Sequence, residues 1–391
     1  MPPPALAVSE RLTDRIRAAI DERGGTIAFD QYMRMTLYEP GLGYYSAGAV
    51  KFGRDGDFVT APEVSPLFGR CLARQVRQVL ATIDGGDILE FGAGSGRLAA
   101  DVLAELEGLD TLPGNYLILE VSADLRERQQ HLLAERIPRL LARVRWLDTL
   151  PDRFRGVVIA NEVLDAMPVK RFRWLGDGAL ELGVGIGEAG FVWKAMPAGT
   201  DIPLAAAVAR IRADIGLVPG AGIDWPPGYT SEVNLAIGPW IAALAAVLES
   251  GAALLIDYGY PRREYYHPQR TEGTLLCHYR HRVHGDPFWQ PGLQDITAAV
   301  DFTAVAEAAQ AAGLAIAGFT TQARFLLALG LTDRLAEQSG RNAPARLELA
   351  RQARMLTLPA EMGEHFKVLA LTRAWNEPLA GFTGVDQTAR L

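Results

Sequence analysis

Residues 87–97 read DILEFGAGSGR, and this stretch decides the fold that we expect. An apolar strand ends near Glu90, the glycine turn GAGSG (92–96) follows, and a helix is predicted to begin near Arg97. Glycine adopts left-handed backbone conformations without steric cost, so such a turn lets the backbone approach a ligand closely. The stretch therefore predicts a strand–turn–helix unit with a binding site at the turn.

Outward from this unit, short apolar segments alternate with helical patterns. Such alternation is typical of a mostly parallel sheet that is covered by helices on both faces. The predicted strands are 87–92, 116–122, 144–148, 156–162, 253–259, 314–322 and 366–373, and the last of these is expected to close the sheet. We therefore predict an α/β fold with a Rossmann-like sheet.

The residues around this core divide the chain further. Helical spacing between residues 9 and 37 is split at Gly24-Gly25, and a loop rich in glycine and aromatic residues (39–65) is a candidate lid. An amphipathic helix is predicted at 66–83, and hairpin strands at 174–197 interrupt the alternation. The predicted organisation is an N-terminal segment of helices and lid loop (1–83), a core (84–170 and 236–391) and an inserted substrate-side segment (171–235).

Composition narrows the class of protein. The chain has 391 residues, a formal net charge of -7 and only Cys71 and Cys277 as cysteines. An acidic chain has no net positive field to attract nucleic acid, and two distant cysteines form neither a disulfide framework nor a cysteine zinc site. No secretory signal pattern is present, and the longest apolar stretch (241–256) contains Glu249 and is too short to span a bilayer. We expect a cytoplasmic enzyme without nucleic-acid partners or membrane insertion.

The glycine spacing favours S-adenosylmethionine over a dinucleotide as the ligand. A dinucleotide fingerprint needs a small residue where this chain has Arg97. The acidic residue two positions before the first glycine, Glu90, instead suits the methionyl amine of S-adenosylmethionine. A purely structural glycine turn is the alternative. The candidate cofactor-binding residues are Glu90, Gly92, Gly94, Gly96, Glu120, Asp148 and Asn161.

Glu120 is the second, independently placed indication of a nucleotide. It ends the second strand, 24 residues after Gly96, near the offset of about 20 residues at which an acidic side chain accepts ribose hydroxyls. Asp148, after the third strand, is a candidate acceptor for an adenine amino group. A solvated strand-end Glu120 and a plain loop aspartate are the alternatives.

The fourth strand ends in ANEVLDAMP (160–168), where open α/β sheets bind ligands. Asn161, Glu162 and Asp165 are therefore expected near the reacting groups, with Glu162 and Asp165 as the candidate catalytic residues. The alternative is that Asp165 caps the following turn and that Glu162 is solvated.

Histidines at positions 278, 281 and 284 suggest a metal site at first inspection. Arg280 and Arg282 lie between them and would repel a cation, so no metal is predicted.

Several motifs in one order resemble a known family, the methyltransferases that include the mitochondrial complex I assembly factor that methylates arginine, and its bacterial relatives. They are YMRMTLYEPGLGYYS, GDFVTAPEVSPLFG, ILEFGAGSGRLA, YLILEVSADLRERQ, ANEVLDAMPVKRF, LLIDYG and PGLQDITAAVDF. The resemblance covers nearly the whole chain. It implies a Rossmann-like class I methyltransferase fold, S-adenosylmethionine held by the glycine turn and Glu120, a TAPEVS loop (60–65) that closes over it, and an acceptor side lined by ANE (160–162).

The resemblance also implies a partner and an acceptor. The partner is a protein substrate, by family analogy a subunit of respiratory complex I. The oligomeric state stays open, and a homodimer is one possibility. Arginine is always charged, so a methylating site needs carboxylates to hold it, and Glu162, Asp165, Glu63 and Asp257 are candidates. A small-molecule methyltransferase and a noncatalytic assembly factor that binds S-adenosylmethionine are the alternatives.

Overall fold

The computed structural model of the protein describes residues 3–46, 59–197, 202–217, 224–337 and 342–391. Their strands are β1 (Thr26–Ala28), β2 (Asp87–Phe91), β3 (Tyr116–Leu119), β4 (Val144–Leu147), β5 (Phe154–Asn161), β6 (Lys170–Trp174), β7 (Ala179–Gly187), β8 (Gly190–Ala195), β9 (Thr230–Val233), β10 (Leu248–Tyr260), β11 (Leu276–Tyr279), β12 (Arg282–His284), β13 (Asp295–Thr297), β14 (Val300–Asp301), β15 (Ala315–Thr321) and β16 (Phe366–Arg373). Of the predicted lid loop, residues 47–58 lie outside the described residues.

The helices of the described residues follow in the same order. They are α1 (Pro3–Glu22), α2 (Phe29–Tyr38), α3 (Ala61–Val64), α4 (Pro66–Thr82), α5 (Arg97–Gly108), α6 (Ala123–Arg136), α7 (Ile202–Asp214), α8 (Ile237–Val247), α9 (Arg262–Tyr265), α10 (Phe302–Ala311), α11 (Gln322–Ala328), α12 (Leu331–Glu337), α13 (Ala343–Thr357) and α14 (Met362–His365). In the described parts of the chain, no helix is both long and apolar enough to cross a membrane.

The central sheet has the order β15-β16-β10-β5-β2-β3-β4, with β14 beside the end of β10. Strands β10, β5, β2, β3 and β4 are parallel, whereas β16 runs antiparallel to both of its neighbours. The predicted α/β fold with a mostly parallel sheet is confirmed, because each predicted core strand is present.

The position of β16 corrects one prediction. Residues 366–373 were expected to close the sheet, but β16 lies inside it, between β10 and β15. Its central residues are fully buried, which explains its continuous apolar run. The edge is β15 instead, and the C-terminal segment covers it: the Gln387 amide donates to the Phe319 carbonyl at 2.6 Å. Such a cover protects a sheet edge from pairing with another chain.

Alternate residues of the core strands build two apolar layers. Ile88 and Val157 pack with helices α4 and α5 on one face, whereas Leu89 and Val158 pack with α8 and α10 on the other. The helix predicted at 66–83 is α4, and Ser65 caps it by accepting from the Leu67 amide at 3.3 Å. The strand period of two therefore fixes which helix covers which face.

A second, antiparallel sheet has the order β1-β7-β6-β9, with β8 on β7. It contains the predicted hairpin strands of residues 174–197, and helix α7, which was not predicted, follows them. The predicted N-terminal helices are α1 and α2, and the short strand between them was missed because three residues carry no recognisable period. Strand β1 ties the N-terminal segment to the 171–235 segment.

The close approach of β5 to β2 requires a glycine at position 156. Its φ is +146°, and a Cβ there would lie 1.9 Å from the Asp87 carbonyl oxygen. We expect Gly156→Ala to destabilise the fold by at least about 2 kcal/mol through strain and overpacking. Gly178→Ala is the control, since a Cβ there meets nothing within 4 Å. Equal denaturant midpoints for the two variants would contradict this packing.

Candidate active site

A cavity of about 390 Å³ opens at the carboxyl ends of β2, β3 and β5, where α/β sheets bind ligands. Its lining includes six carboxylates: Glu63, Glu90, Glu120, Glu162, Asp165 and Asp295. Among the described residues that line it there is no lysine, arginine or histidine. The cavity therefore suits a cationic ligand such as a sulfonium, which cannot tolerate a positively charged neighbour.

The glycine turn forms one wall. Gly92, Gly94 and Gly96 have φ values of +61°, +53° and +85°, the left-handed region that glycine adopts without strain. A Cβ at Gly96 would lie 3.3 Å from the Gln129 Cα. The turn therefore requires glycine for its conformation and, at Gly96, for its packing against helix α6.

Glu63 braces this turn from the side of α3. One carboxylate oxygen accepts from the Ser95 hydroxyl, and the other lies 3.3 Å from the Arg97 guanidinium. The sequence analysis proposed Glu63 as a carboxylate for a guanidinium acceptor. Although Glu63 lines the cavity, its carboxylate already binds the glycine turn and the first residue of α5.

Glu90 ends β2 and is buried. Its carboxylate accepts from the Tyr116 hydroxyl at 2.8 Å. Burial raises the pKa of Glu90 to about 8, while the Tyr116 hydrogen bond opposes the shift. A nearby ammonium group favours the ionised carboxylate. Glu90 therefore has the position and the chemistry to hold the amine of S-adenosylmethionine.

Glu120 follows directly after β3, and both of its carboxylate oxygens accept hydrogen bonds. The Ser122 amide donates to one at 2.9 Å, and the Gln129 side-chain amide donates to the other at 3.0 Å. Carboxylate oxygens accept more than one hydrogen bond each, so Glu120 retains capacity for ribose hydroxyls. Its orientation is thus fixed before any ligand arrives.

Gln129 is a site residue that the sequence analysis missed. Its amide also donates to the Gly94 carbonyl at 3.0 Å and accepts from the Trp146 indole at 2.8 Å. Gln129 joins the glycine turn to Glu120 and is fully buried. The available signal was a polar residue within the apolar stripe of α6, between Leu125 and Leu133.

Glu162 lines the same cavity and follows directly after β5. Its φ is +55°, a strained conformation for a non-glycine residue that is often associated with functional sites. The Asn161 side-chain amide donates to its carboxylate at 3.1 Å. Burial, and then the charge of Asp165, raise the pKa of Glu162 to about 8. This carboxyl group faces a cavity that lacks a compensating cation.

Asp257 shapes the loop that carries these residues. One of its oxygens accepts from the amides of Val163, Leu164 and Asp165, at 3.2, 2.9 and 3.3 Å. Burial, followed by the charge of Glu162, raises the pKa of Asp257 to about 8. Asp257 was predicted to be an acceptor-binding carboxylate, but it lies behind the loop and anchors the loop amides.

Asp165 is 6% exposed and lines the cavity. Its Oδ1 atom is buried and has no hydrogen-bond partner among the described residues. Burial, then the charges of Asp257 and Asp295, raise the pKa of Asp165 well above its ordinary value. A buried polar atom without a partner is costly, which indicates that the site awaits a donor.

Asp148 does not line this cavity. Its side chain is 86% exposed and lies 2.8 Å from the Arg126 guanidinium. The described residues of the 171–235 segment do not line the cavity either. The cavity brings together most of the other predicted site residues, namely Glu63, Glu90, Gly92, Gly94, Glu120, Asn161, Glu162 and Asp165, and it adds Asp295, which was not predicted. Gly96 and Asp257 support the site from outside the cavity lining.

Histidines 278 and 284 lie on β11 and β12. Within the described residues, no group of three or more histidine, cysteine, aspartate or glutamate side chains has an arrangement that holds a metal ion.

Comparison with known proteins gives a consistent result. Residues 69–320 match the family described as S-adenosyl-L-methionine-dependent methyltransferase. A Burkholderia thailandensis protein crystallised with S-adenosyl-homocysteine is 48% identical, with a TM-score of 0.94 over 100% of this chain and 99% of that chain. Protein arginine methyltransferase NDUFAF7 of Mus musculus is 30% identical over 382 residues, 89% of this chain and 81% of that protein. The Caenorhabditis elegans homolog is 28% identical over 403 residues, 94% of this chain and 88% of that protein.

The fold and the cavity define a methyltransferase that uses S-adenosylmethionine, with a class I-like sheet. More specifically, the chain belongs to the S-adenosyl-L-methionine-dependent methyltransferase family that residues 69–320 match.

Gln129→Leu tests whether Glu120 needs its buried donor. We expect cofactor affinity to fall about tenfold or more, since a hydrogen bond to a charged group contributes about 1.5–3 kcal/mol. Titration calorimetry with S-adenosyl-homocysteine measures this. The exposed neighbour Gln130→Leu is the matched control. Equal affinity in both variants would show that Gln129 does not support the site.

The raised pKa values predict a pH dependence of stability. Glu162 has an ordinary pKa of 4.5 and a folded-state pKa of about 8, so its contribution to stability is lost as pH rises through 8. The ligand-free protein should therefore unfold at lower temperature at pH 9 than at pH 6. Glu162→Gln should flatten this decline and unfold at higher temperature than the wild type at pH 9. The reverse order of midpoints would show that the ionised carboxylate stabilises the fold.

Proposed function

We propose that this protein transfers a methyl group from S-adenosylmethionine to a guanidinium nitrogen of an arginine in a partner protein. The observation that carries the proposal is the acidic lining of the cavity, in which Glu162 and Asp165 share one cavity with the glycine turn. Arginine keeps its charge at all physiological pH values, so carboxylates are the groups that hold it. The names of the mitochondrial relatives support the same acceptor.

The chain's residues account for binding and orientation. The glycine turn, Glu90 and Glu120 would hold the cofactor, which supplies a methyl group on a sulfonium leaving group. Glu162 and Asp165 would grip the guanidinium and turn one nitrogen toward the cofactor side. Alignment of the reacting atoms lowers the barrier, because it replaces the entropy that a bimolecular encounter would cost.

The residues that bind the acceptor must also take up a proton. A guanidinium nitrogen that gains a methyl group must give up one proton. Glu162 has a pKa of about 8 before an acceptor binds, and a bound cation favours its ionised form. The ionised carboxylate can then hydrogen-bond the guanidinium and accept the released proton. Asp257 keeps Glu162 in this position through its three hydrogen bonds to the loop amides.

By analogy with the family, the partner is a protein substrate such as a subunit of respiratory complex I. A small-molecule acceptor is the second candidate, and the observation that favours it is the cavity volume of about 390 Å³, which is typical of small-ligand sites. A noncatalytic assembly factor would bind the cofactor and transfer nothing.

One labelling experiment separates these functions. The protein is incubated with tritiated S-adenosylmethionine and a lysate of cells that lack it, and the labelled products are hydrolysed and analysed for methylated amino acids. Methylarginine in one polypeptide supports the proposal. A new labelled small molecule, separated from unreacted S-adenosylmethionine, with no labelled polypeptide supports the second candidate, and no transfer to any product supports the noncatalytic factor.

Glu162→Gln tests the acceptor side in the same assay. We expect cofactor affinity to remain and methyl transfer to fall by at least tenfold, because the variant loses a charge-assisted contact of about 1.5–3 kcal/mol that tightens in the transition state. Calorimetry and the labelling rate measure the two effects separately. Loss of cofactor binding would assign Glu162 to the cofactor side, and full activity would place the acceptor elsewhere.

A further inference from the structure

Asp295 reaches the cavity from outside the central sheet. It begins β13, in a small sheet of order β12-β11-β13. Even so, it lines the same cavity as Glu162 and Asp165, and it is 1% exposed. A carboxylate buried to this degree is costly unless it has partners. Its place in the cavity therefore calls for an explanation.

The backbone around Asp295 is fixed against the loop of residues 162–166 that follows β5, here called the acceptor loop. The Ala298 amide donates to the Asp165 carbonyl at 3.0 Å, and the Tyr258 hydroxyl donates to the Thr297 hydroxyl at 2.6 Å. Upstream, Gly292 has a φ of +80°, and a Cβ there would lie 2.6 Å from the Leu42 carbonyl oxygen. The segment is thus held between the N-terminal segment and the acceptor loop.

The charge of Asp295 acts on both candidate catalytic carboxylates. Burial is the largest cause of the raised pKa values of Glu162 and Asp165, and the charge of a neighbouring aspartate is the next. The charge of Asp295 raises both pKa values further. The three groups are therefore close enough to repel one another. Such a cluster is relieved either by protonation or by a bound cation.

Tyr45 orients Asp295. Its hydroxyl lies 3.0 Å from each carboxylate oxygen of Asp295. Its ring stacks on Tyr38, with centroids 5.5 Å apart and planes at 22°. Its carbonyl accepts from the Ser122 hydroxyl at 2.6 Å, and Ser122 in turn donates its amide to Glu120. Tyr45 thus bridges the cofactor side and the acceptor side of one cavity.

We propose that Asp295 is a third acceptor-binding carboxylate, which contacts the cationic acceptor together with Glu162 and Asp165, and that Tyr45 is the positioning residue that aims it. The inference rests on the proposed function, because it assumes a cationic acceptor. It also assigns a role to the small β12-β11-β13 sheet, which delivers this carboxylate to a site built mainly by the core.

Two ligands test this arrangement without knowledge of the acceptor. Sinefungin carries a primary amine where S-adenosylmethionine carries its methyl group, whereas S-adenosyl-homocysteine has neither. The ratio of their dissociation constants therefore reports negative charge near the transferred methyl group. We expect wild-type protein to bind sinefungin more tightly than S-adenosyl-homocysteine.

Asp295→Asn keeps the shape and can still accept from Tyr45, so the fold should survive. We expect it to lower the preference for sinefungin about tenfold and to leave the affinity for S-adenosyl-homocysteine unchanged. Tyr45→Phe, which keeps the ring and loses the hydroxyl, should lower the preference by a smaller factor. The exposed Asp177→Asn is the control and should leave the ratio at its wild-type value.

The outcomes separate the inference from the function on which it rests. An unchanged ratio in Asp295→Asn overturns the role of Asp295, even if the wild type methylates arginine. A wild type with no preference for sinefungin overturns it as well. A preference that falls in both variants, without any methylarginine in the labelling assay, supports the cation-binding role of Asp295 while it refutes arginine as the acceptor.

Discussion

The burial of several carboxylates beside one another is the constraint on which this site depends. Six of them line one cavity, and no described lysine, arginine or histidine lines it with them. Burial, and after it repulsion between neighbouring carboxylates, raises the pKa values of Glu90 and Glu162 to about 8. The arrangement is unfavourable in the ligand-free protein and becomes favourable when a cation enters. Many enzymes retain active-site groups that destabilise the folded state because activity requires them.

Neutral donors hold most of these groups in place, whereas Glu63 is paired with Arg97 at the glycine turn. Gln129 fixes Glu120 against the glycine turn, loop amides bind Asp257, and the Tyr45 hydroxyl binds Asp295. Amides and hydroxyls orient a carboxylate without adding a fixed positive charge to the site. The negative potential of the cavity is thereby preserved for the cofactor's sulfonium and for the acceptor.

Local sequence pattern predicted the core strands and the glycine turn, because apolar runs and glycine spacing are short-range signals. The place of β16 inside the sheet was not predicted, since strand order depends on pairing partners more than a hundred residues apart. Gln129 and Asp295 were missed because a buried polar residue resembles a surface residue in sequence. The roles of Glu162, Asp165 and the cofactor-binding residues remain predictions.

The central claim is that the cavity holds S-adenosylmethionine between the glycine turn and Glu120. Calorimetric titration of S-adenosylmethionine into wild-type protein and Glu120→Ala tests it most directly. The account predicts binding to the wild type and a loss of about 1.5–3 kcal/mol in the variant, with the unfolding midpoint of the ligand-free protein little changed. Equal affinity in the two proteins would contradict the account, because Glu120 would then lie outside the cofactor site.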